Sequence, residues 1–193
     1  MGPVKLIAPR RFADARGWFT ETWSARHFEK LGVTTGFVQD NLSRSIPAGV
    51  LRGLHFQAPP HAQAKLVRCA RGRVFDVAVD LRRGSPTFGR WVGAELTAEN
   101  GWMLFIPVGF AHGFLTLEPE SELAYKASDV YAPETEGGLA WNDPDLAIPW
   151  PLAGAAPLVS DKDAQLGALV GFESPFAYDG DPLTPLGETP LTP

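Results

Sequence analysis

At 193 residues the chain has the length of one domain with a substantial core. Its 17 basic against 22 acidic side chains offer no positive field to a nucleic-acid backbone, which argues against nucleic acid as a partner. No apolar run approaches a membrane span, the opening M-G-P-V-K-L-I-A-P-R-R has no signal-peptide core, Leu6 breaks the myristoylation pattern, and the lone Cys69 excludes an internal disulfide, so the expectation is a soluble cytoplasmic protein.

Val4 to Ile7 is a short strand by composition. Beyond it, Asp14 to Gly17 is a turn and Trp18 to Trp23 alternates as a strand. Ser24 can cap a short helix through Leu31, which Gly32 would end. Phe37 to Ser45 starts as a strand and turns polar, and Pro47 and Gly49 lead into Val50 to Phe56, V-L-R-G-L-H-F. That strand carries Arg52, Gly53 and His55, for which a buried strand has no structural use. Strict alternation would put Arg52 and His55 on opposite faces. They can serve one site if the strand bulges or twists, and Gly53 is where that could happen.

Lys65 to Ala70 follows as a strand containing Cys69, which reads as a core thiol. After a turn at Gly72, Val74 to Leu81 sets Phe75, Val77, Val79 and Leu81 on one face and Val74, Asp76, Ala78 and Asp80 on the other, the pattern of a sheet with two different faces. Trp91 to Leu96, Trp102 to Ile106 (stopped by Pro107), Phe114 to Leu117 and Leu123 to Ala127 continue the series. Short strands between turn signals, with almost no helical period, argue for an all-β sandwich or barrel. Asp143 to Pro151 is expected to wrap the barrel, and Ser160 to Gln165 to open a short helix capped by Ser160 or Asp161. Residues 175–193, with five prolines and little apolar content, are expected to be a disordered tail outside a single domain of residues 1–174.

Two spacings carry chemistry. Gly49-x5-His55 and Gly101-x5-Pro107-x-Gly109-x2-His112 resemble the paired motifs of cupins, which implies a double-stranded β-helix (jelly-roll) barrel with a few short peripheral helices and a pocket at its mouth. Many cupins hold a metal with His-x-His and Glu in the first motif and His in the second. Here Gln57 stands for the second His and no Glu follows between residues 57 and 72. His55 and His112 alone are fewer than the three protein ligands of a catalytic zinc site, so no metal is expected. A histidine without a metal is a natural general base near neutral pH. Proton abstraction beside a carbonyl also needs a cation for the enolate oxygen and an acid on the opposite face, and Lys65 and Tyr125 are candidates by type.

D-A-R-G-W-F-T-E (14 to 21), F-V-Q-D-N (37 to 41), V-L-R-G-L-H-F-Q (50 to 57), K-L-V-R-C (65 to 69), I-P-V-G-F-A-H-G-F (106 to 114), Y-K-A (125 to 127), W-N-D-P (141 to 144) and S-D-K-D-A (160 to 164), with others between, closely resemble the dTDP-4-dehydrorhamnose 3,5-epimerase family, in consistent order from about Ile7 to about Leu166. The resemblance implies an isomerase of dTDP-rhamnose biosynthesis that needs no cofactor. It would invert C3 and C5 of dTDP-4-dehydro-6-deoxy-D-glucose to give dTDP-4-dehydro-L-rhamnose. It implies that His55 removes the protons, Asp163 orients His55, Lys65 stabilises the oxyanion at C4 and Tyr125 returns a proton. It assigns Arg16, Gln39, Asn41, Arg52, His112 and Lys162 to nucleotide, diphosphate or sugar contacts, Glu21 and Glu136 to further polar contacts, and Phe19 to the thymine ring. It implies a homodimer with exchange of an N-terminal strand, so that Arg16 and Glu21 could complete the partner's site. Leu42 departs from the family, which often has His there. The competing readings are an epimerase acting at C3 or C5 alone, a ketoisomerase of cupin type, a metal-dependent cupin, and a non-catalytic nucleotide-sugar-binding cupin.

Overall fold

The computed structural model describes residues 2–191. In chain order its strands are β1 (Lys5–Pro9), β2 (Arg11–Asp14), β3 (Gly17–Thr20), β4 (Gln39–Ser45), β5 (Leu51–Gln57), β6 (Lys65–Arg71), β7 (Arg73–Asp80), β8 (Trp91–Thr97), β9 (Met103–Ile106), β10 (Phe110–Thr116), β11 (Ser121–Ala127), β12 (Glu136–Gly138) and β13 (Glu188–Leu191). Two short helices, α1 (Ala25–Glu29) and α2 (Asp161–Ala164), lie among them. One sheet runs β13-β1-β9-β6-β11-β4 and the other β12-β5-β10-β7-β8, while β2 and β3 form a separate hairpin. Pairing is antiparallel except for β1 with β13. This is the all-β jelly roll expected from the motifs.

The two-faced pattern of β7 explains the layering. Val74 and Ala78 point between the sheets, where they join Val67, Leu104, Phe114 and Leu123. Val77 and Val79 point outward and are covered by Leu139, Leu146, Ile148 and Trp150, so the segment around Asp143 to Pro151 wraps the second sheet. A sheet that is apolar on both faces must be covered on both. The outer face of the first sheet is closed in the same way by Phe28 of α1, with Val33 and Leu191. Cys69 is in the inner core, and burial pushes its thiol up to about 11.

Several expectations change: the strand expected over Trp18 to Trp23 ends at Thr20, and Ser24 precedes α1 without a side-chain cap bond. Strand β10 starts at Phe110 rather than Phe114, which places His112 inside the strand. A Cβ at Gly113 would lie 2.9 Å from the Arg52 carbonyl oxygen, so the glycine permits close approach of two strands. The tail expected to be disordered is packed through Leu191. Phe176, Leu183 and Leu191 are buried, β13 runs along β1, and Pro190 is tolerated because β13 is an edge strand. Its apolar residues fall at no regular period, so proline content outweighed them in the sequence. Residues 192 and 193 lie outside the described residues. Among the described residues no helix is long and apolar enough to cross a membrane.

Candidate active site

The site forms where β5 and β10 approach. Between the pairs His55–His112 and Arg52–Phe114, β5 advances three residues while β10 advances two, so β5 carries one extra residue. Gly53 absorbs it. Its φ is +115°, and a Cβ there would lie 2.6 Å from the His112 carbonyl oxygen. The irregularity brings Arg52 and His55 to one cavity of about 500 Å³, which Lys65, His112, Tyr125, Lys162 and Asp163 also line.

Asp163 arrives from α2, 108 positions from His55 in the chain. Ser160 caps that short helix by accepting from the Asp163 backbone N–H at 3.1 Å. The carboxylate is then spent on β5: Oδ1 lies 2.7 Å from His55 Nε2, and Oδ2 accepts from the Gly53 N–H at 3.1 Å. With its Nε2 proton donated to Asp163, the ring keeps an Nδ1 lone pair free to act as a base.

Burial pulls the His55 imidazole below its ordinary 6.5, while the hydrogen bond and charge of Asp163 pull the other way. A neutral ring therefore prevails at pH 7. Burial also pulls the Lys65 ammonium down to about 8, with Asp76 and Glu136 acting only through space to retain its charge. The Tyr125 phenol is pushed up, chiefly by burial, and keeps its proton at neutral pH. Burial opposes ionisation of Glu136, yet hydrogen bonds from Lys162 and Tyr131 outweigh it and hold the carboxyl below its ordinary value. Glu136 Oε2 lies 2.5 Å from Lys162 Nζ and accepts from the Tyr131 hydroxyl at 2.8 Å.

The remaining residues singled out by sequence sit elsewhere. Gln39 and Asn41 lie on neighbouring β4, where the Gln39 amide donates to Asn41 Oδ1 at 2.9 Å and Asn41 stands opposite Tyr125. Arg16 pairs with Asp14 at the tip of the β2–β3 hairpin, and Phe19 is 69% exposed on β3. Glu21 follows the hairpin and contacts His27 at 2.6 Å. Arg16, Phe19 and Glu21 do not line the cavity. Gln57, at the cupin second-ligand position, commits its amide to the backbone: Nε2 donates to the carbonyls of His61 and Val130, and Oε1 accepts from Ala132 N–H.

Two residues were given no role from sequence. Asp76 is fully buried and holds His112 Nε2 at 3.0 Å. A carboxylate on the strand face shared by Val74 and Ala78 was a legible signal, since a buried charge needs a partner. Tyr131 carried no such signal, lying in an irregular segment. Together the cavity offers a carboxylate-held imidazole, a half-buried lysine and a protonated phenol, a set suited to moving protons beside a carbonyl.

Comparisons with known proteins agree with this chemistry. Residues 2–170 match the family model described as dTDP-4-dehydrorhamnose 3,5-epimerase. A protein of that name from Pseudomonas aeruginosa is 57% identical over 84% of this chain and 88% of its own length. A crystal structure of the Bacillus anthracis enzyme of that name, with TDP and PPi bound, superposes with a TM-score of 0.84 at 50% identity, covering 86% of this chain and 94% of that one. A structure of dTDP-6-deoxy-D-glucose-3,5-epimerase from Legionella pneumophila in complex with dTDP-4-keto-L-rhamnose gives 0.82 at 46% identity, covering 88% and 95%.

Proposed function

This chain belongs to the dTDP-4-dehydrorhamnose 3,5-epimerase family, and from that premise we infer that it inverts C3 and C5 of dTDP-4-dehydro-6-deoxy-D-glucose to give dTDP-4-dehydro-L-rhamnose. The observation that carries the mechanism is the 2.7 Å contact of Asp163 with His55 in a cavity shared with Lys65 and Tyr125. His55 takes a proton from a carbon beside the C4 ketone. The C–H electron pair becomes the ring double bond, and the carbonyl pair moves onto O4 beside the Lys65 ammonium. Tyr125 then protonates the carbon from the opposite face, the O4 electrons restore the ketone, and solvent exchange resets both groups. A second round inverts the other flanking carbon. The ketone itself acidifies both C–H bonds, so the chemistry calls for no cofactor.

Arg52 is the favoured diphosphate contact because a guanidinium can hold two oxygens at once, and its own bonds, to the Arg44 carbonyl and Ser45 Oγ, are long at 3.4 Å. His112 and Lys162 meet the substrate from the cavity wall, and Glu136, Gln39 and Asn41 from its surroundings. The subunit is a single domain working in the cytoplasm as a homodimer. What supports the dimer is the hairpin: Phe12, Trp18 and Phe19 are exposed there, as are Leu42 and Ile46 near β4, and isolated apolar ribbons of this kind call for a covering surface. In the dimer the hairpin reaches the partner's cavity and delivers Arg16, Phe19 and Glu21.

NMR of the protein with its substrate in deuterated water tests the reaction. Deuterium entering both C3 and C5, with the L-configured product trapped by a reductase, is the expected result. Label at one carbon only would replace the reading with a single-site epimerase, and label at neither would remove the epimerase reading.

A further inference from the structure

We propose that Arg11 is a positioning residue that aims the β2–β3 hairpin from the subunit that carries it, and thereby sets substrate affinity in the other subunit's cavity. The inference rests on the reading that the hairpin completes the partner's site. Among the described residues the hairpin pairs with no other strand of its own subunit, so no sheet of that subunit orients it before it meets the partner. Arg11, at its first position, provides a side-chain anchor. Its guanidinium donates to the carbonyls of Ala98, at 2.6 Å, and Glu99, both in the turn between β8 and β9 of the same subunit. One face of the guanidinium lies over the Trp18 ring at 4.1 Å, so a single planar group joins the barrel turn to the returning strand of the hairpin.

The turn is shaped for this contact. Gly101 has φ +63°, and a Cβ there would lie 2.7 Å from an Arg11 terminal nitrogen. The Asn100 side chain fixes the same turn by accepting from the N–H groups of Thr97 and Trp102. Arg11 Nε is buried without a hydrogen-bond partner, a cost that the two carbonyl contacts and the indole offset. At the base, Thr20 Oγ1 donates to the Arg10 carbonyl at 2.8 Å and the Arg10 N–H donates to the Leu191 carbonyl at 3.3 Å, so the root is pinned and the Arg11 staple holds the hairpin beyond it to the barrel turn. Phe12 and Phe19 lie opposite each other beyond that base, with Arg16 at the tip.

Arg11→Met keeps the side-chain stem and removes the donors. The expected result is a rise of about tenfold in KM for dTDP-4-dehydro-6-deoxy-D-glucose with kcat within about twofold, since hairpin aim affects binding rather than the reacting groups. Arg11→Lys can reach one carbonyl and should fall between; it carries the test if the Met variant does not fold. The decisive sample is a mixed dimer, purified through two tags, of one Arg11→Met subunit with one His55→Ala subunit. Its only competent cavity receives a hairpin with Arg11 intact, so KM should return to the parent value. A KM still raised in that mixed dimer would mean that Arg11 acts within its own subunit and would overturn the proposal. Arg16→Ala is measured alongside. If it raises KM while both Arg11 variants leave KM unchanged, the staple is refuted and the hairpin reading stands; if it changes nothing, the hairpin reading itself fails.

Discussion

Two ionic clusters in the molecule, one buried and one lining the half-buried cavity, have opposite designs. Around Arg82 every charge is matched: its guanidinium donates to both oxygens of Asp80 at 2.8–2.9 Å, to Asp179 Oδ1 at 2.6 Å and to the Asp181 carbonyl, and lies over the rings of Phe110 and Tyr178. Ser85 and Thr87 also donate to Asp80, so its carboxyl, resisted by burial, is still held below the ordinary value. In the cavity, by contrast, Lys65 feels its carboxylates only through space and burial takes it down to about 8. The first cluster spends its charges on the fold and ties the C-terminal segment to the barrel. The second leaves a charge poorly compensated, which suits the proposed role of Lys65 beside an oxyanion, since electrostatic preorganisation works in this way.

Replacing the base should have the largest effect. His55→Ala is expected to lower kcat by about 10³ to 10⁴ and to abolish deuterium entry at both carbons, with Tm little changed, as read by coupled assay, NMR and calorimetry. Lys65→Met is expected to lower kcat by about 10² while raising Tm by about 3 °C, because it removes a charge that burial disfavours. Below the folded value of about 8 that charge destabilises the native state. Between 8 and the ordinary 10.5 the unfolded chain binds more protons, so parental stability should climb with pH across that window and the Met variant should not show the climb.

The Arg82 cluster should respond in the reverse sense. Arg82→Met leaves Asp80 buried and unpaired, and chemical denaturation should show a loss of about 3–5 kcal/mol with kcat per folded molecule retained. A kcat loss as large as that of Lys65→Met would erase the contrast. The smallest effect is the pH profile of kcat/KM. It should be a bell whose acid limb, set by His55, lies below 6.5 and whose alkaline limb, set by Lys65, lies near 8. Asp80 should leave stability flat there: its lowered carboxyl contributes above the ordinary carboxylate value and loses that contribution only as acid protonates it.

Alternation in β7 and the turn signals were enough to predict two packed layers of strand, and Gly53 between Arg52 and His55 was enough to locate the bulge, because both follow from the period-two geometry of a strand. Lys65, Tyr125 and His55 were readable by chemical type. Asp163 was reachable only through family resemblance, since no local pattern links residues 108 positions apart. Asp76 was visible as a polar residue on a strand face shared with Val74 and Ala78, but its partner His112 sits on the neighbouring strand.

Local rules therefore determined most of the central strands, their turns and which residue types could do proton chemistry, but not β2, β12, β13 or the start of β10. The tertiary structure decided which of those residues meet. It also decided the packing of the last residues, where Phe176, Leu183 and Leu191 find separate pockets in three different clusters. The physical reason is the same in each case: strand period and turn geometry are properties of neighbours in the chain, whereas hydrogen-bond partners, desolvation and cluster packing depend on elements that only folding brings together.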